Sequence, residues 1–394
     1  MLLGRLVFVA VLSLLGFVLL RWLWPGLVKG GRKWVYLALV VLSLAAYLLP
    51  RALGLGAHGE IPFIGEPLKL LSTVWGVTVL IMVVAGLPVV FLRWVRERRR
   101  VDPPEGADVS LERRDLLVNA GRAVPLLALG TSAAGVVNGM SGFVVREVEV
   151  RMRNLPPALE GFRIGQITDV HVGPFITPEY LRGAVEAMNA AGAHVQVMTG
   201  DLIDDLTQLD ETMEALAGCR APHGMLAVLG NHEHFRGLNA VLRGYASLQK
   251  RGAPVRLLVD SAHVFEHEGQ RVRVVGVDYP LGRGMGARTS LMQASAEKAF
   301  QGTSPEELVL CLTHHPSFFP YAVERGARLT LAGHTHGGQV AFFGMPLFWF
   351  VFEFMFGGYR RKDGYLYVSG GTGHWLPFRL GIPPEVTVLT LRGT

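Results

Sequence analysis

The sequence predicts a chain in two parts: transmembrane helices over residues 1–142, followed by an α/β domain over residues 143–394. Three observations carry this reading. The first part holds long apolar segments with almost no charge. From residue 143 onward, short apolar strands alternate with amphipathic helical stretches, the pattern of a sheet covered by helices. The strands of the second part repeatedly end in Asp, His or Asn.

Residues 6–24 are apolar apart from Arg21, which lies near enough to the end to snorkel, and residues 34–50 and 70–92 carry no charge. Each is close to the roughly 20 residues that cross a bilayer core. Trp or Tyr stands near their ends, where the headgroup region favours it. Core helices of a large soluble protein account poorly for three such segments in a hundred residues. A cleavable signal peptide accounts only for the first, which lacks a basic leading stretch and a small-residue cleavage site. A fourth segment, 123–142, is weakly apolar and reads either as a span or as a flexible collar. The preceding Glu112-Arg113-Arg114-Asp115-Leu116-Leu117 resembles a twin-arginine export signal, with Leu116 where Phe is usual and Val118 where Lys is usual.

Basic residues cluster between the first two segments (Lys29, Arg32, Lys33) and between the third and fourth (Arg93, Arg96, Arg98, Arg99, Arg100, Arg113, Arg114). The loop 51–69 has only Arg51 and Lys69 at its edges. The positive-inside rule places both basic loops in the cytoplasm and the amino terminus outside. The second part is then extracytoplasmic if 123–142 spans and cytoplasmic if it does not; the expectation is a multi-pass membrane protein with the domain outside. Residues 1–142 carry 15 Lys/Arg against 8 Asp/Glu and the remainder 23 against 24, so the net charge of +6 belongs to the membrane flanks. That distribution leaves no nucleic-acid footprint, and nothing calls for an obligate protein partner. Cys219 and Cys311 stand in no CxxC setting, which argues against a thiolate metal site or disulfide framework and reads as two buried apolar residues.

In the second part, strands are expected at 162–173, 194–201, 224–233, 308–315, 328–336, 365–372 and 385–391. Helices are expected at 178–191 and around 207–218 and 238–250, with a β-rich stretch at 254–279. Five of these strands end in Asp169 and His171, Asp201 and Asp204, Asn231 and His232, His314, and His334 and His336. One such ending would be an ordinary turn or cap. Five endings in metal-ligand residue types, at the sheet edge where α/β folds gather their ligands, point to a metal site.

The blocks DVH (169–171), GDLIDD (200–205), GNHE (230–233), HHP (314–316) and GHTH (333–336) resemble, in order, those of the calcineurin-like metallophosphoesterase superfamily. AGHTHGGQV and the later GYLYVSGGTGHW and PPEVTVLTL resemble its membrane-associated bacterial branch of YkuE-like and YaeI-like phosphodiesterases. The resemblance covers residues 143–394. It implies a metallophosphoesterase β-sandwich flanked by helices and two divalent metal ions such as Mn, Fe or Zn. Asp169, His171 and His336 would hold one ion, Asn231, His314 and His334 the other, and Asp201 would bridge them. Such a mix of carboxylate and imidazole suits divalent first-row ions, which together activate a water to attack phosphorus in line. No protein nucleophile is then needed, in agreement with the absence of a nucleophile-elbow motif. His232 would stabilise the phosphoryl group or protonate the leaving oxygen, and Asp204 would set its tautomer, the plainer reading of Asp204 being a helix N-cap. Asp205 stands where protein Ser/Thr phosphatases carry a phosphate-binding Arg, which argues against phosphoprotein substrates. His315 and His374 are candidate substrate contacts, with packing and loop roles as alternatives. His58, His194, His223, His234, His263 and His267 match no ligand position and read as surface or structural.

Residues 340–362 contain seven of the twenty Phe, plus Trp349, and end in Arg360, Arg361 and Lys362. Gly344, Pro346 and Glu353 make the run a poor span; it suits a membrane interface, with a core strand and loop as the alternative. The functional expectation is a membrane-anchored phosphoesterase acting on phosphodiester or pyrophosphate bonds, with membrane lipids as partners and lipid-linked substrates. A pyrophosphatase for UDP-diacylglucosamine facing the cytoplasm, and a non-catalytic scaffold on the same fold, are the alternatives.

Overall fold

The computed structural model describes residues 2–53, 64–98, 111–282 and 284–394. His58, Arg99 and Arg100, named above, lie outside the described residues. The chain forms two units, Met1–Met140 with Leu376–Phe378, and Ser141–Trp375 with Arg379–Thr394.

Unit 1 contains the helices α1 (Leu2–Leu23), α2 (Arg32–Ala52), α3 (Gly65–Arg98) and α4 (Leu111–Met140). The four apolar segments fall within these helices apart from Trp24, Ser141 and Gly142 at their ends, and Arg113 and Arg114 lie in the first turn of α4 rather than in a loop. Leu19, Leu23, Val79, Met82 and Ala128 form a small core. Ser13, Ser43, Ser72 and Ser132 are buried, whereas Leu14, Val84, Phe91, Leu127 and Val137 face outward. Three of these hydroxyls are bonded: Ser72 donates to the Ser43 carbonyl at 3.2 Å, Ser132 donates to the Ala128 carbonyl at 2.7 Å, and Ser13 Oγ accepts from Trp75 Nε1 at 3.3 Å, whereas Ser43 Oγ has no partner among the described residues. Hydroxyls thus sit inside beside the apolar core, and large aliphatic groups also face outward. By length and composition, Gly65–Leu92 and Val118–Met140 can each cross a membrane, and Val9–Leu23 is a shorter apolar helix.

Unit 2 begins with β1 (Val144–Met152), β2 (Arg163–Ile167), α5 (Pro178–Ala190), β3 (Val195–Thr199), α6 (Leu209–Ala217) and β4 (Met225–Val228). It continues through α7 (Asn231–Arg236), α8 (Leu238–Lys250), β5 (Val255–Leu257), β6 (Ser261–His267), β7 (Gln270–Gly276) and α9 (Met285–Ala299). Next come β8 (Leu308–Leu312), α10 (Phe319–Glu324), β9 (Leu329–Ala332), β10 (Ala341–Phe342) and β11 (Met345–Pro346). The chain closes with β12 (Gly357–Arg361), β13 (Gly364–Val368) and β14 (Glu385–Gly393). Two six-stranded mixed sheets result, in the orders β1-β14-β2-β3-β4-β5 and β12-β13-β9-β8-β7-β6.

Alternation along the strands builds the layers. Ile164, Val195, Val197, Val272, Leu310 and Leu331 meet between the sheets. Their neighbours point outward, Ile167 and Met198 against Val185, Met188, Leu216 and Leu248. On the other face Val309 and Cys311 pack on Ala296 and Phe318. Both cysteines are free and buried. The fold of unit 2 is a β-sandwich of mixed sheets flanked by helices, the architecture expected from the sequence.

Four features depart from the sequence reading. The strand expected over 224–233 stops at Val228, and helix α7 begins at Asn231. The strand expected over 162–173 stops at Ile167, because Asp169 and His171 turn to φ of 52° and 55°, outside any strand geometry. The stretch 285–299 is helix α9, whose polar and small residues give almost no amphipathic signal. The run 340–362 divides: Phe354 is buried with Phe319 and Leu366, while Phe342, Phe343, Phe348 and Phe350 are exposed.

Candidate metal centre

β2, β3 and β4 run parallel in one sheet, and β7, β8, β9 and β13 in the other, so their carboxyl ends deliver their loops to one edge of the sandwich. The loops turn sharply. Asp169, His171, Asp201, His334 and His336 all have positive φ, between 49° and 73°. Such strain in non-glycine residues persists only where surrounding contacts enforce it, typically at functional sites. Neighbouring glycines let the loops close on one another. A Cβ on Gly230 would lie 2.2 Å from Asp201 Oδ1, and one on Gly333 would lie 2.1 Å from Asp169 Oδ2.

Asp169, His171 and His336 converge on one side. His336 Nε2 is 3.4 Å from Asp169 Oδ1 and 3.1 Å from His171 Nε2. Asp201, His314 and His334 converge on the other, with His314 Nε2 3.1 Å from Asp201 Oδ2 and 3.2 Å from His334 Nδ1. Asp201 Oδ2 also lies 3.8 Å from His171 Nε2, which places this oxygen between the two groups. Each trio has its ligand atoms within 4.8 Å of one another. Asn231 is buried, and its Oδ1 has no hydrogen-bond partner among the described residues. A buried orphan carbonyl among imidazoles and carboxylates is costly unless it meets a cation. The donor set therefore fits divalent ions.

Around these groups lies a scaffold of backbone and side-chain hydrogen bonds. His334 N donates to Asp169 at 3.0 Å, Thr168 Oγ1 donates to Asp169 Oδ2 at 2.7 Å, and His232 N donates to Asp201 Oδ1 at 2.8 Å. His314 Nδ1–H donates to the Thr199 carbonyl at 2.8 Å, which leaves Nε2 free to face the cluster. Three residues overlooked in the sequence are central here. Glu233, inside the GNHE block, accepts the amides of Gly230, Asp201 and Leu202 at 2.7, 3.0 and 2.7 Å. Arg379 is fully buried and donates to the Gly370 and Gly373 carbonyls at 2.6 Å each and to His336 Nδ1 at 2.9 Å. Tyr279 brings its ring to 5.9 Å from His314 and 5.7 Å from His334. A strand-adjacent Glu is visible within its block, but Arg379 and Tyr279 carry no local motif.

His232 Nδ1 and Asp204 Oδ1 are in short hydrogen-bond contact, and Arg236 Nε donates to the same oxygen at 3.2 Å. The other Asp204 oxygen lies 3.5 Å from His171 Nδ1. The N-cap function belongs to Asp205 instead, which accepts from Thr207 N at 3.1 Å. His315 stands beside the cluster, 4.7 Å from the His334 ring, and shares a 2.7 Å hydrogen bond with Ser317 Oγ. His374 is buried near Phe175, 6.2 Å between rings. His234 pairs with Asp278 at 2.9 Å. His194, His223, His263 and His267 gather with Phe162 and Phe265 on other strands and loops and join none of the metal-type groups.

Burial dominates the electrostatics and pushes Asp169 up and His334 and His336 down, each towards its neutral form. Burial opposes charge on Asp201 as well, but His314, His171 and His232 outweigh it and hold this carboxyl below the usual range. His314 is the converse case: against burial, Asp201 and Asp169 raise it to about 10. Burial, with His314 and Arg288, lowers His315 to about 4. His232 is raised despite burial, by its bond to Asp204 and the charge of Asp201.

A family model for calcineurin-like phosphoesterases matches residues 162–338. A metallophosphoesterase of Aquifex aeolicus is 30% identical over 252 residues, covering 63% of this chain and 92% of that protein. The metallophosphoesterase YkuE of Bacillus subtilis is 28% identical over 287 residues, 68% of this chain and 94% of its own length. A transmembrane protein with metallophosphoesterase domain from Danio rerio is 28% identical over 274 residues, 66% of this chain. The match spans 59% of the length of that vertebrate protein.

Proposed function

The chain belongs to the calcineurin-like phosphoesterases, metal-dependent hydrolases of phosphoesters, and on that premise we propose that unit 2 binds two divalent ions and cleaves phosphodiester or pyrophosphate bonds of lipid-linked substrates. One observation carries the dinuclear reading. Asp201 Oδ2 lies between the His314 side and the His171 side, where a shared carboxylate would serve two ions. Asp169, His171 and His336 would hold one ion, and Asn231, His314 and His334 the other. When bound, the ions supply Lewis acidity to the phosphoryl oxygens and make water acidic enough to act as the nucleophile near neutral pH.

The chain's own groups do the rest. Asp204 accepts from His232 Nδ1–H, which leaves Nε2 facing the cluster, 3.8 Å from Asp201 Oδ2, as the end that delivers a proton. The bond to Asp204 and the charge of Asp201 raise the His232 pKa despite burial, in the direction that a general acid for the departing oxygen requires. Asp204 also faces His171, so a single carboxylate orients the acid and one ligand. Asp205, capping the turn at Thr207, offers no cation to a phosphate. Phe348, Trp349 and Phe350, exposed on the run that follows His336, support lipid-linked substrates over soluble ones. The outward aliphatic groups of unit 1 and its two long apolar helices support a multi-pass membrane anchor, with the basic loops cytoplasmic and unit 2 outside.

The test uses the whole chain purified in detergent. Elemental analysis should find two divalent ions per chain. Asp201→Asn and His334→Ala should abolish turnover of a nitrophenyl phosphodiester while the circular dichroism spectrum is kept. Metal-free protein with undiminished turnover, or full turnover in either variant, would remove the basis of this reading.

A further inference from the structure

The exposed large apolar side chains of unit 2 concentrate on the edge that carries the metal centre. Phe235 follows β4 on α7, its ring 6.3 Å from His232. Leu281 and Met285 follow β7, on the segment that brings Tyr279 to His314. Phe343 and Phe350 follow β9 and the GHTH block, and Trp375 follows β13 and its glycine-rich loop. Met285, Phe350 and Phe235 are 88%, 70% and 66% exposed. Four loops from two sheets thus surround the site with unpartnered apolar groups. A soluble surface rarely gathers so many at one place without something to cover them.

The chain's course says what covers them. Val144 opens β1 and pairs in parallel with Glu385, where β14 starts. β14 runs antiparallel to β2, so that start lies level with the carboxyl end of β2 and with the metal centre. Val144 comes four positions after Met140, the last residue of the apolar helix Val118–Met140. Four residues reach about 14 Å at most. A bilayer crossed by that helix therefore has this edge within its reach.

The same topology separates the apolar run from the cations that end it. β12 begins at Gly357 opposite Val368, at the site edge, and runs back to Arg361 opposite Gly364. Arg360, Arg361 and Lys362 are therefore carried towards the opposite edge and do not flank the exposed phenylalanines.

We propose that these four loops form an apolar collar that dips into the bilayer surface, so that the metal centre opens onto the membrane and takes substrate from within it. This rests on the phosphoesterase reading above for the chemistry, but the docking is measured without turnover. Cys219 and Cys311 are buried, so introduced cysteines label selectively. In the full chain reconstituted into phosphatidylcholine vesicles, Phe343→Cys, Phe350→Cys, Met285→Cys and Lys362→Cys each receive a polarity-sensitive fluorophore. Labels at 343, 350 and 285 should be quenched by lipid-borne nitroxide at least threefold more than the label at 362, and less by aqueous iodide. Equal access of iodide to all four overturns the proposal. So does shielding of the first three from both quenchers, which would mean a protein covers the collar.

The full chain with Phe343→Ser and Phe350→Ser should lose at least tenfold in turnover of vesicle-embedded phosphodiester lipid and keep its turnover of a soluble nitrophenyl diester. Parallel losses on both substrates overturn the collar. Failure of the unsubstituted chain on both substrates counts against the hydrolase reading instead, and the labels still decide the docking.

Discussion

Glu233 holds the backbone that presents Asp201. Its carboxylate accepts the Asp201 amide at 3.0 Å, the Leu202 amide at 2.7 Å and the Ile203 amide at 3.3 Å, and reaches back to the Gly230 amide at 2.7 Å. One buried side chain thereby ties the loop after β3 to the loop after β4, the two that carry Asp201 and Asn231. Glu233→Ala would leave these donors without a partner in a buried place, each costing about 1–3 kcal/mol if unrelieved. The expected result is a lower denaturant midpoint and reduced metal content, even though Glu233 is no ligand. Unchanged stability and full metal occupancy would show that the loops hold their shape without it.

The candidate ligand residues were legible in the sequence because metal chemistry restricts residue type: Asp169, His171, Asp201, Asn231, His314, His334 and His336 each follow an apolar strand. Their backbone conformation was not legible, since positive φ in Asp and His is forced by contacts with Gly230, Gly333 and the facing loops. Arg379 escaped notice for a related reason. Its partners are Gly370, Gly373 and His336, and the last is 43 positions away, so no local pattern announces it. The run 340–362 shows the limit of reading adjacency as proximity. Arg360 to Lys362 follow the phenylalanines in sequence, yet one antiparallel strand carries them away.

His232 offers a kinetic test of its own. His232→Ala should keep its metal and lose about 10²–10⁴-fold in kcat. The loss should be larger for an alkoxide leaving group than for nitrophenolate, which departs without a proton. The bond to Asp204 and the charge of Asp201 raise His232 above its ordinary value despite burial. Proton donation is then lost, and turnover should fall, as pH rises through the raised value. A pH profile of kcat checks this: the alkaline limb should be missing in His232→Ala. Equal losses on both leaving groups would count against proton donation.

The side of the membrane is open to a direct assay. Lys29, Arg32 and Lys33 follow the first apolar segment, and Arg93, Arg96 and Arg98 follow the third. Cytoplasmic placement of both groups, with Val118–Met140 spanning, puts residue 145 outside. A reporter that works only outside the cytoplasm, fused after residue 145, should be active. Activity of a cytoplasm-only reporter at the same junction would place the metal centre on the inner side and favour cytoplasmic nucleotide-lipid substrates.

Away from the metal centre, a histidine cluster should set how stability responds to acid. His223 Nε2 and His267 Nδ1 are 3.1 Å apart, His194 Nδ1 accepts the Arg163 amide at 2.9 Å, and Phe162 stacks on His194 with ring centres 5.0 Å apart. Burial lowers the pKa of His194 and His223, and the neighbouring histidines lower both further; Arg163 adds to the effect at His194. His263 is lowered by burial and by Arg256. Glu268 acts in the opposite sense on His194 without reversing it. Above the ordinary histidine value of about 6.5 these groups are neutral whether the chain is folded or not, and contribute no pH dependence. As pH falls through that value the unfolded chain takes up protons that the folded chain resists, so stability drops until the folded values are passed. Thermal unfolding of the detergent-solubilised chain, with chelator present to keep the metal centre empty throughout, should show a lower Tm at pH 5.5 than at pH 7.5. His194→Gln with His223→Gln should shrink that difference, because glutamine takes up no proton in either state. A difference that survives intact in the double variant would move the acid sensitivity to other groups and leave this cluster a matter of packing alone.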